Sequence, residues 1–358
     1  MDKREHFEWI SLLRAIAMLL VVWAHLGSWW LSQNQVMSDL QVYYHKFFVE
    51  PFYLYQEAGH LGVLIFFLVS GWVITHVSFY ETRKEFLIRR FFRIIPTLCL
   101  TFLLVVITNK INMELNLPTL LGHEGDRWID YIYSLFLINY YIDAPAVLTV
   151  TWTLAIEGIF YVLTAIFINV KDKRDLCKNT WNMLWIVSLF IMISSISAIT
   201  INIAKLLVFV IYILLGRIAY LGFMKKIDLQ SAGILASATG LAFFTFYDFL
   251  YAGYLYEKPN FVIASDLWAI VIFLLAMLLV AKIGEKINFL SDVSYSVYLI
   301  HLPIGSFVLN FLFSKGVYYE VSIMIAFVVI LVISAIIYQY FEIPMQKFAK
   351  SLVKFSKK

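Results

Sequence analysis

Two ionisable residues, Arg14 and His25, interrupt the first long apolar run of the chain, which extends from about residue 9 to 31. On an α-helix their spacing corresponds to about 16 Å of rise and brings both side chains to nearly the same face. A charged group at membrane depth costs roughly 3 kcal/mol and usually faces a bundle interior or a water-filled cavity. The pair therefore indicates either chemistry within a membrane or a structural contact. The chemical interpretation makes Arg14 a fixed cation and His25 a proton acceptor.

A carboxylate, Glu157, is the expected partner of His25. Each residue lies about six positions from the outer end of its own apolar run, so the two are predicted at a similar depth. A carboxylate can orient an imidazole and favour its protonated form while the ring takes a proton from a hydroxyl. The alternative is a buried hydrogen-bonded pair that locks two helices together.

Three arginines, Arg89, Arg90 and Arg93, cluster in the segment RKEFLIRRFFRIIP at 83–96. A guanidinium group is planar, permanently charged and suited to two-pronged contacts with phosphate. The cluster is predicted to bind the phosphates of a cofactor at the inner membrane surface, beneath Arg14. Basic residues at the inner ends of spans are also required by the positive-inside rule, which is an equally good explanation.

A polar stripe is predicted in the ninth apolar run, where Ser294, Tyr298 and His301 recur at intervals of four and three residues. Residues at these intervals share one face of a helix. The stripe indicates the lining of a substrate or acyl channel. The alternative is hydrogen bonding between helices around the distortion that Pro303 introduces.

The elements that must position these groups are transmembrane helices. Hydrophobic residues make up 62% of the 358 residues, only 15% are charged, and the mean hydropathy is +0.81. This composition excludes a soluble globule and predicts an all-α, polytopic bundle with a single domain over 1–358. A run at 128–142 is short and polar, and it predicts one interfacial or re-entrant segment. The ten predicted spans are 9–31, 60–80, 94–109, 151–170, 181–200, 203–220, 230–249, 262–282, 290–313 and 318–340.

Most of the 28 Lys and Arg residues fall into alternate loops, which predicts that both termini are cytoplasmic. Glu342 and Pro344 are predicted to end the last helix. The two cysteines, Cys99 and Cys177, cannot form a zinc cluster, so no metal site is predicted. The expected surroundings are a lipid bilayer, with no nucleic-acid partner. Nothing in the sequence predicts the oligomeric state.

The ordered set of motifs resembles the acyltransferase 3 family of integral membrane acyltransferases, bacterial enzymes that mostly O-acetylate surface polysaccharides. Thr153 and Ala155 depart from the serines that are common around the glutamate of that family, which leaves a role for those hydroxyls in doubt. The resemblance covers nearly the whole chain and rests on the following residues: Arg14 and His25, FFLVSGW at 66–72, Arg90, Arg93 and Pro96, TWTLAIEGIFYVL around Glu157, SYSVYLIHLPI at 294–304, and Glu342-Ile343-Pro344.

The resemblance implies an acyl-CoA donor, usually acetyl-CoA, and an acceptor hydroxyl on a glycan such as O-antigen or on a lipid-linked oligosaccharide. It implies a stand-alone enzyme of the bacterial inner (cytoplasmic) membrane, without the fused SGNH domain of some members. Arg14, Arg89, Arg90 and Arg93 would hold the CoA phosphates. His25 would act as general base or become acylated transiently, and Glu157 would support it.

A polysaccharide or lipid-linked-sugar exporter is the rival function, because some relatives of this family have been described as export proteins. Ten spans with a polar interior would also suit a transporter. Transporters often contain internal repeats, and no repeat of 20–50 residues is visible here. The sequence therefore favours the O-acyltransferase, and it leaves the sugar, the hydroxyl position and the acyl group open.

Overall fold

A computed structural model describes residues 7–119, 127–168, 172–198, 200–251 and 258–355. These residues form helices and no β-strand, and ten of the helices are long and apolar enough to cross a bilayer. The predicted all-α polytopic bundle is thereby confirmed, and the protein is a multi-pass membrane protein. The ten helices are α1 (Glu8–Asn34), α2 (Tyr55–Ser78), α3 (Arg83–Glu114), α4 (Thr149–Ile166), α5 (Lys173–Ser194), α6 (Ile201–Phe223), α7 (Leu229–Tyr251), α8 (Pro259–Leu279), α9 (Glu285–Ser314) and α10 (Tyr319–Lys354).

Two helices are longer than their apolar cores predict. α3 has 32 residues and α10 has 36, which correspond to about 48 and 54 Å, against a hydrocarbon layer of about 30 Å. The predicted limits 94–109 and 318–340 were too short because charged residues end a hydropathy window without ending a helix. The predicted helix end at Glu342 is also wrong, since helical structure continues through Ile343–Phe355.

The segment after the third span does not cross a membrane as a helix. Its helix, Trp128–Leu135, has only 8 residues, which rise about 12 Å. Leu137 then adopts a left-handed conformation with φ of 59°, and a short 3-10 turn follows at Ile138–Tyr140. The run at 128–142 is therefore a short segment beside the ten spans, as the sequence predicts.

The chain forms two compact units, each assembled from separate stretches. The first takes its described residues from within Met1–Phe66, Thr97–Gly125 and Lys258–Pro344, and in it α9 packs between α1 and α10. The second takes them from within Phe67–Pro96, Asp126–Glu257 and Met345–Lys358. In the second unit α6 packs against α4, α5 and α7, and its interior is filled by large side chains such as Trp72, Tyr212 and Phe243.

Four π-helical turns distort the first unit, which is notable because π-helices are rare and occur mostly at functional sites. One of them, His301–Gly305, contains Pro303, whose ring removes a backbone N–H and clashes with the preceding turn. Another, Trp23–Trp29, contains Leu26, whose carbonyl accepts a hydrogen bond of 2.9 Å from the Tyr319 hydroxyl. The four turns are Trp23–Trp29, His45–Val49, His301–Gly305 and Tyr338–Glu342.

Candidate active site

Two histidines meet in the first unit, each within a π-helical turn. Nε2 of His301 on α9 lies 3.1 Å from Nδ1 of His25 on α1, with the ring centroids 5.0 Å apart. His301 is fully buried, whereas His25 is partly exposed. The sequence places His301 on a polar stripe of α9, and the structure brings that stripe against the face of α1 that carries His25.

The hydrogen bonds of this pair define which nitrogen carries each proton. Nδ1 of His301 faces the carbonyl of Tyr298 at 2.7 Å and that of Val297 at 3.2 Å, and a carbonyl can only accept. Nδ1 of His301 therefore carries its proton, and in the neutral ring Nε2 is the acceptor. Nδ1 of His25 faces the Val21 carbonyl at 2.9 Å and must also be the donor. The lone pair of His25 is then on Nε2, which is the arrangement of a general base.

Arg14 meets the other end of the same stripe. Its Nη2 donates to the Ser294 hydroxyl at 3.0 Å, and that hydroxyl donates to the Ser291 carbonyl at 2.7 Å. Because the serine proton is used by the carbonyl, only its lone pairs face the guanidinium. The Tyr338 hydroxyl is close enough to interact electrostatically with Arg14 and is hydrogen-bonded to Asp292. Arg14 thus lies among hydroxyl and carboxylate groups of α9 and α10.

Tyr298, the middle residue of the stripe, is buried between two rings. Phe66 lies edge-on to it with a centroid distance of 5.7 Å, and His301 lies 6.0 Å away. Ser294, Tyr298 and His301 therefore occupy one face of α9, as the spacing predicts. In this structure the two ends of the stripe meet polar groups of α1.

A buried carboxylate that the sequence places at a helix end lies inside the first unit. Glu342 is 5% exposed and accepts a hydrogen bond from the fully buried Ser296. Glu342 is the last residue of the π-helical turn Tyr338–Glu342 and is buried. An α-helical continuation of α10 would rotate this position about the helix axis, so the π-helical turn directs the side chain inward. A hydroxyl, that of Ser296, is therefore one donor to the Glu342 carboxylate.

The segment from Tyr44 to the first turn of α2 contains interacting groups that the sequence does not predict. Nδ1 of His45 lies 2.7 Å from Oε1 of Glu57, and the Tyr44 hydroxyl donates to the Glu57 carbonyl at 3.3 Å. Burial, and then the Glu57 carboxylate, raise the pKa of Tyr44, which keeps this phenol protonated as a donor. The Tyr44 ring lies 4.9 Å from that of Trp23, two residues from His25. No periodic pattern marks these residues, because they lie on short helical turns between the long apolar runs.

The backbone beside this contact is strained. Gln56, Glu57 and Ala58 all have positive φ angles, 51°, 52° and 67°, although none is glycine. Each such residue costs about 1–2 kcal/mol, and such strain is found where surrounding structure fixes a functional conformation. The turn contacts the π-helical turn that carries His25. Glu57 is therefore held in place beside the histidine site at an energetic cost.

A second missed pair is buried in the first unit. Nε2 of His60 lies 2.9 Å from Oδ1 of Asp266, with side-chain exposures of 7% and 0%. Both residues lie within predicted apolar runs, and an ionisable residue in such a run is by default a candidate for function. That signal was available in the sequence. The pair also has a structural use, because it joins α2 to α8.

In the second unit, the predicted phosphate-binding arginines meet an acid. Nη1 of Arg89 lies 2.7 Å and Nη2 of Arg90 lies 3.7 Å from the carboxylate of Glu81, which is 2% exposed. Nε of each arginine has no hydrogen-bond partner among the described residues. Arg90 also lies over the Phe86 ring at 5.4 Å. One carboxylate therefore serves two guanidinium groups, and donors remain available for an anion.

Glu157 belongs to the same unit and interacts with the arginine cluster through a tyrosine. The Tyr161 hydroxyl donates to Oε2 of Glu157 at 2.8 Å, and Arg90 and Arg93 both act electrostatically on that hydroxyl. The sequence predicts Glu157 near the outer end of its span and the arginines at an inner end. The structure instead connects Glu157, Tyr161, Arg90 and Arg93 within one polar cluster of α3 and α4. No group of three or more metal-ligating side chains occurs in the described part of the chain.

Comparison with known proteins gives a family match and two kinds of curated relative. The model of an acyltransferase domain family matches residues 7–339. O-acetyltransferase OatA from Staphylococcus aureus is 30% identical over 189 residues, which cover 49% of this chain and 27% of that protein. Peptidoglycan O-acetyltransferase OatA from Listeria monocytogenes is 28% identical over 185 residues, which cover 48% of this chain and 25% of that protein.

The matched region thus spans about a quarter of the length of these curated relatives. No solved structure matches the chain significantly. The family match, in contrast, includes α1 with Arg14 and His25, the arginines of α3, Glu157, and the stripe of α9. Because it covers nearly the whole chain, the protein belongs to the acyltransferase 3 family of membrane acyltransferases.

Proposed function

We propose that this protein is an O-acetyltransferase that transfers an acetyl group from cytoplasmic acetyl-CoA to a hydroxyl of a cell-surface or lipid-linked glycan at the bacterial inner membrane. The single observation that carries the proposal is the hydrogen-bonded pair of His25 and His301 inside a matched acyltransferase domain. Acyl transfer to a hydroxyl needs a base whose lone pair can reach the substrate. Nε2 of the partly exposed His25 is such a base.

In the proposed reaction, His25 Nε2 takes the proton of the acceptor hydroxyl while the oxygen of that hydroxyl attacks the carbonyl carbon of the thioester. A C–O bond forms and the C–S bond breaks, and the proton on His25 passes to the departing CoA thiolate. The charge that appears on the His25 ring strengthens its Nδ1–H bond to His301. General-base assistance of this type contributes roughly 10² to 10⁴ in rate.

The arginines are assigned to the donor. CoA carries several phosphate groups, and Arg14, Arg89, Arg90 and Arg93 are permanent cations that can bind them. The unmatched Nε donors of Arg89 and Arg90 support this assignment. Glu157 is assigned to binding of the donor, because Tyr161 connects it to Arg90 and Arg93. The sequence also predicts that Glu157 supports His25, and we retain that role.

The name of the Listeria relative includes peptidoglycan. Peptidoglycan strands are therefore an acceptor to test beside O-antigen and lipid-linked oligosaccharides, because all of them offer sugar hydroxyls. The relatives' names also favour acetyl over longer acyl groups.

The test is transfer of labelled acetyl groups from acetyl-CoA by the full chain in nanodiscs, with each acceptor in turn. His25→Ala and Glu157→Gln should lose transfer, whereas His76→Gln, a buried histidine of the second unit that contacts Tyr220, should retain it. Wild-type rates in His25→Ala would refute the assignment of the base. Label that stays on wild-type protein but not on His25→Ala would indicate an acylated histidine in place of direct transfer.

A further inference from the structure

A buried arginine outside the predicted site lies in the middle of the second unit. Arg217 of α6 is 3% exposed and lies six residues before the helix end at Phe223, about 9 Å along the axis. The sequence marks it only as a charge within a span. A guanidinium group in this position has lost its water and requires compensation by other polar groups.

The compensation that the protein supplies is small. Nε of Arg217 donates to Oγ1 of Thr180 on α5 at 3.2 Å, and Thr180 is fully buried. The Thr180 hydroxyl donates its own proton to the Leu176 carbonyl at 2.8 Å, so it can only accept from the arginine. This contact orients the guanidinium but leaves its charge unneutralised.

No acid pairs with Arg217 in the described part of the chain. The other arginines of this unit with a described acid partner meet it closely: Arg89 and Arg90 at Glu81, and the exposed Arg127 at Asp130. The described residues provide Arg217 with no carboxylate within 4.0 Å and with no hydrogen bond for its two terminal nitrogens. Arg217 is therefore deeply buried and has no counter-charge among the described residues.

A second unmatched donor lies on the same turn of α5 as Thr180. Nδ2 of Asn179 is buried and has no hydrogen-bond partner among the described residues, and the residue is 8% exposed. Buried N–H groups without acceptors are rare in proteins and point to an unobserved partner. The terminal nitrogens of Arg217 and Nδ2 of Asn179 are thus donors without an acceptor among the described residues, and the positive charge of Arg217 favours an anion as its partner.

The helix that carries Arg217 cannot easily move to expose it. A Cβ atom on Gly216 would lie 2.1 Å from the Leu68 carbonyl oxygen, and one on Gly71 would lie 2.1 Å from that of Ile213. α2 and α6 are therefore in backbone contact beside Arg217, as small residues permit in membrane proteins. This packing fixes the turn of α6 and keeps the guanidinium inside.

We infer that Arg217, oriented by Thr180, forms a buried anion site that binds a phosphate group. The planar guanidinium can contact two phosphate oxygens at once, and phosphate supplies the negative charge that the protein does not. The phosphate belongs either to the acyl-CoA donor or to a lipid headgroup, and the chemistry of recognition is the same. The site does not depend on the proposed use of acetyl-CoA, because the lipid source remains if that proposal fails.

The test compares thermal unfolding of the full chain with and without phosphate ligands. Wild type, Arg217→Met and the control Arg174→Met, which removes an exposed arginine from the start of α5, are placed in phosphatidylcholine nanodiscs. Coenzyme A and inorganic phosphate form one arm, and nanodiscs with added phosphatidylglycerol form the other. We expect at least one arm to stabilise wild type and Arg174→Met, and to stabilise Arg217→Met clearly less.

Binding of the active ligand should be roughly 10- to 100-fold weaker in Arg217→Met, which is the range for a hydrogen bond to a charged group. Without ligand, Arg217→Met should unfold at a higher temperature than wild type, because a buried charge without a partner has been replaced by an apolar side chain. Thr180→Val retains the charge and should weaken binding to a smaller extent, which keeps the test decisive if Arg217→Met folds poorly.

Equal stabilisation of wild type and Arg217→Met in every arm would overturn the inference, and so would the absence of stabilisation of wild type in both arms. Stabilisation by coenzyme A alone assigns the phosphate to the donor, and stabilisation by phosphatidylglycerol alone assigns it to a lipid. Acetyl transfer by the same variants is measured separately. Normal transfer in Arg217→Met with loss of phosphate binding would retain the site and separate it from the proposed reaction.

Discussion

Nδ1 of His25 shares its proton between Nε2 of His301, 3.1 Å away, and the Val21 carbonyl at 2.9 Å, because the other nitrogen of His301 is used by the Tyr298 carbonyl. The fully buried His301, together with the Val21 carbonyl, thus holds the ring of His25 in one tautomer. In serine hydrolases an aspartate does the same for the catalytic histidine. Here the orienting group is neutral, so the pair places no extra charge inside the bundle.

Replacement of His301 by Phe removes this acceptor while it retains a ring of similar size. We expect kcat for acetyl transfer to fall roughly 100-fold, with little change in the KM for acetyl-CoA, since His301 acts through His25. His301→Gln retains an acceptor oxygen and should recover part of the loss. If both variants lose the same activity, His301 does not act by orienting His25.

The tautomer itself can be measured. In protein labelled with ¹⁵N-histidine, His25 should show a protonated Nδ1 and an unprotonated Nε2 at neutral pH. In His301→Phe the preference should weaken but persist, because the Val21 carbonyl still accepts from Nδ1. A protonated Nε2 in the wild-type protein would contradict the proposed base.

Arg14→Lys tests whether the donor needs a guanidinium or only a positive charge. Lysine cannot make the two-pronged phosphate contact, so the KM for acetyl-CoA should rise about tenfold. Ser294→Ala retains the arginine and removes its 3.0 Å hydrogen-bond acceptor, and it should raise KM by less. An unchanged KM in Arg14→Lys and in Arg14→Gln would limit Arg14 to a structural role.

Glu81→Gln tests the balance of charge in the arginine cluster. Without the acid, Arg89 and Arg90 lose a buried counter-charge, and the free energy of unfolding should fall by about 3 kcal/mol. Added coenzyme A should then stabilise the variant more than it stabilises wild type. Asp130→Asn removes the acid of the exposed Arg127 pair and should change stability by less than about 1 kcal/mol. Similar losses in the two variants would refute the buried role of Glu81.

Gln56→Gly tests the strained first turn of α2. Glycine adopts a φ of 51° without a steric cost, so the free energy of unfolding should rise by about 1 kcal/mol. Gln56→Ala retains the strain and serves as the control, because the side chain of Gln56 is exposed. A lower stability in Gln56→Gly would show that the turn is held by contacts of Gln56 itself.

The sequence predicts much of the fold because its signal is long and repeated. Twenty apolar residues have one stable form in a bilayer, so the ten spans follow from hydropathy alone. The ends of α3 and α10 could not be predicted in this way, since helices extend beyond the bilayer wherever charged helix-forming residues follow the apolar core.

The candidate site could be predicted only in part. Arg14, His25 and the stripe of Ser294, Tyr298 and His301 are visible because a charge in an apolar run is unusual and helical spacing defines a face. Their partners are not visible, because contacts between helices separated by more than 250 residues leave no local pattern. Glu57 and His45 lie on short helical turns without a periodic pattern, and Glu81 is one of several charged residues in its segment.

The π-helical turn Trp23–Trp29 changes how the distance between Arg14 and His25 is to be interpreted. A π-helical turn accommodates one additional residue in an otherwise α-helical span, so the ideal angle per residue does not hold between these two positions. Removal of any single residue from 23–29 would allow a regular α-helix to form through this segment. All side chains on one side of the deletion would then rotate about the helix axis relative to those on the other side. The direction of the His25 imidazole therefore depends on the length of this segment as much as on its composition. A one-residue gap here in an alignment of relatives would identify a protein in which the histidine has a different orientation.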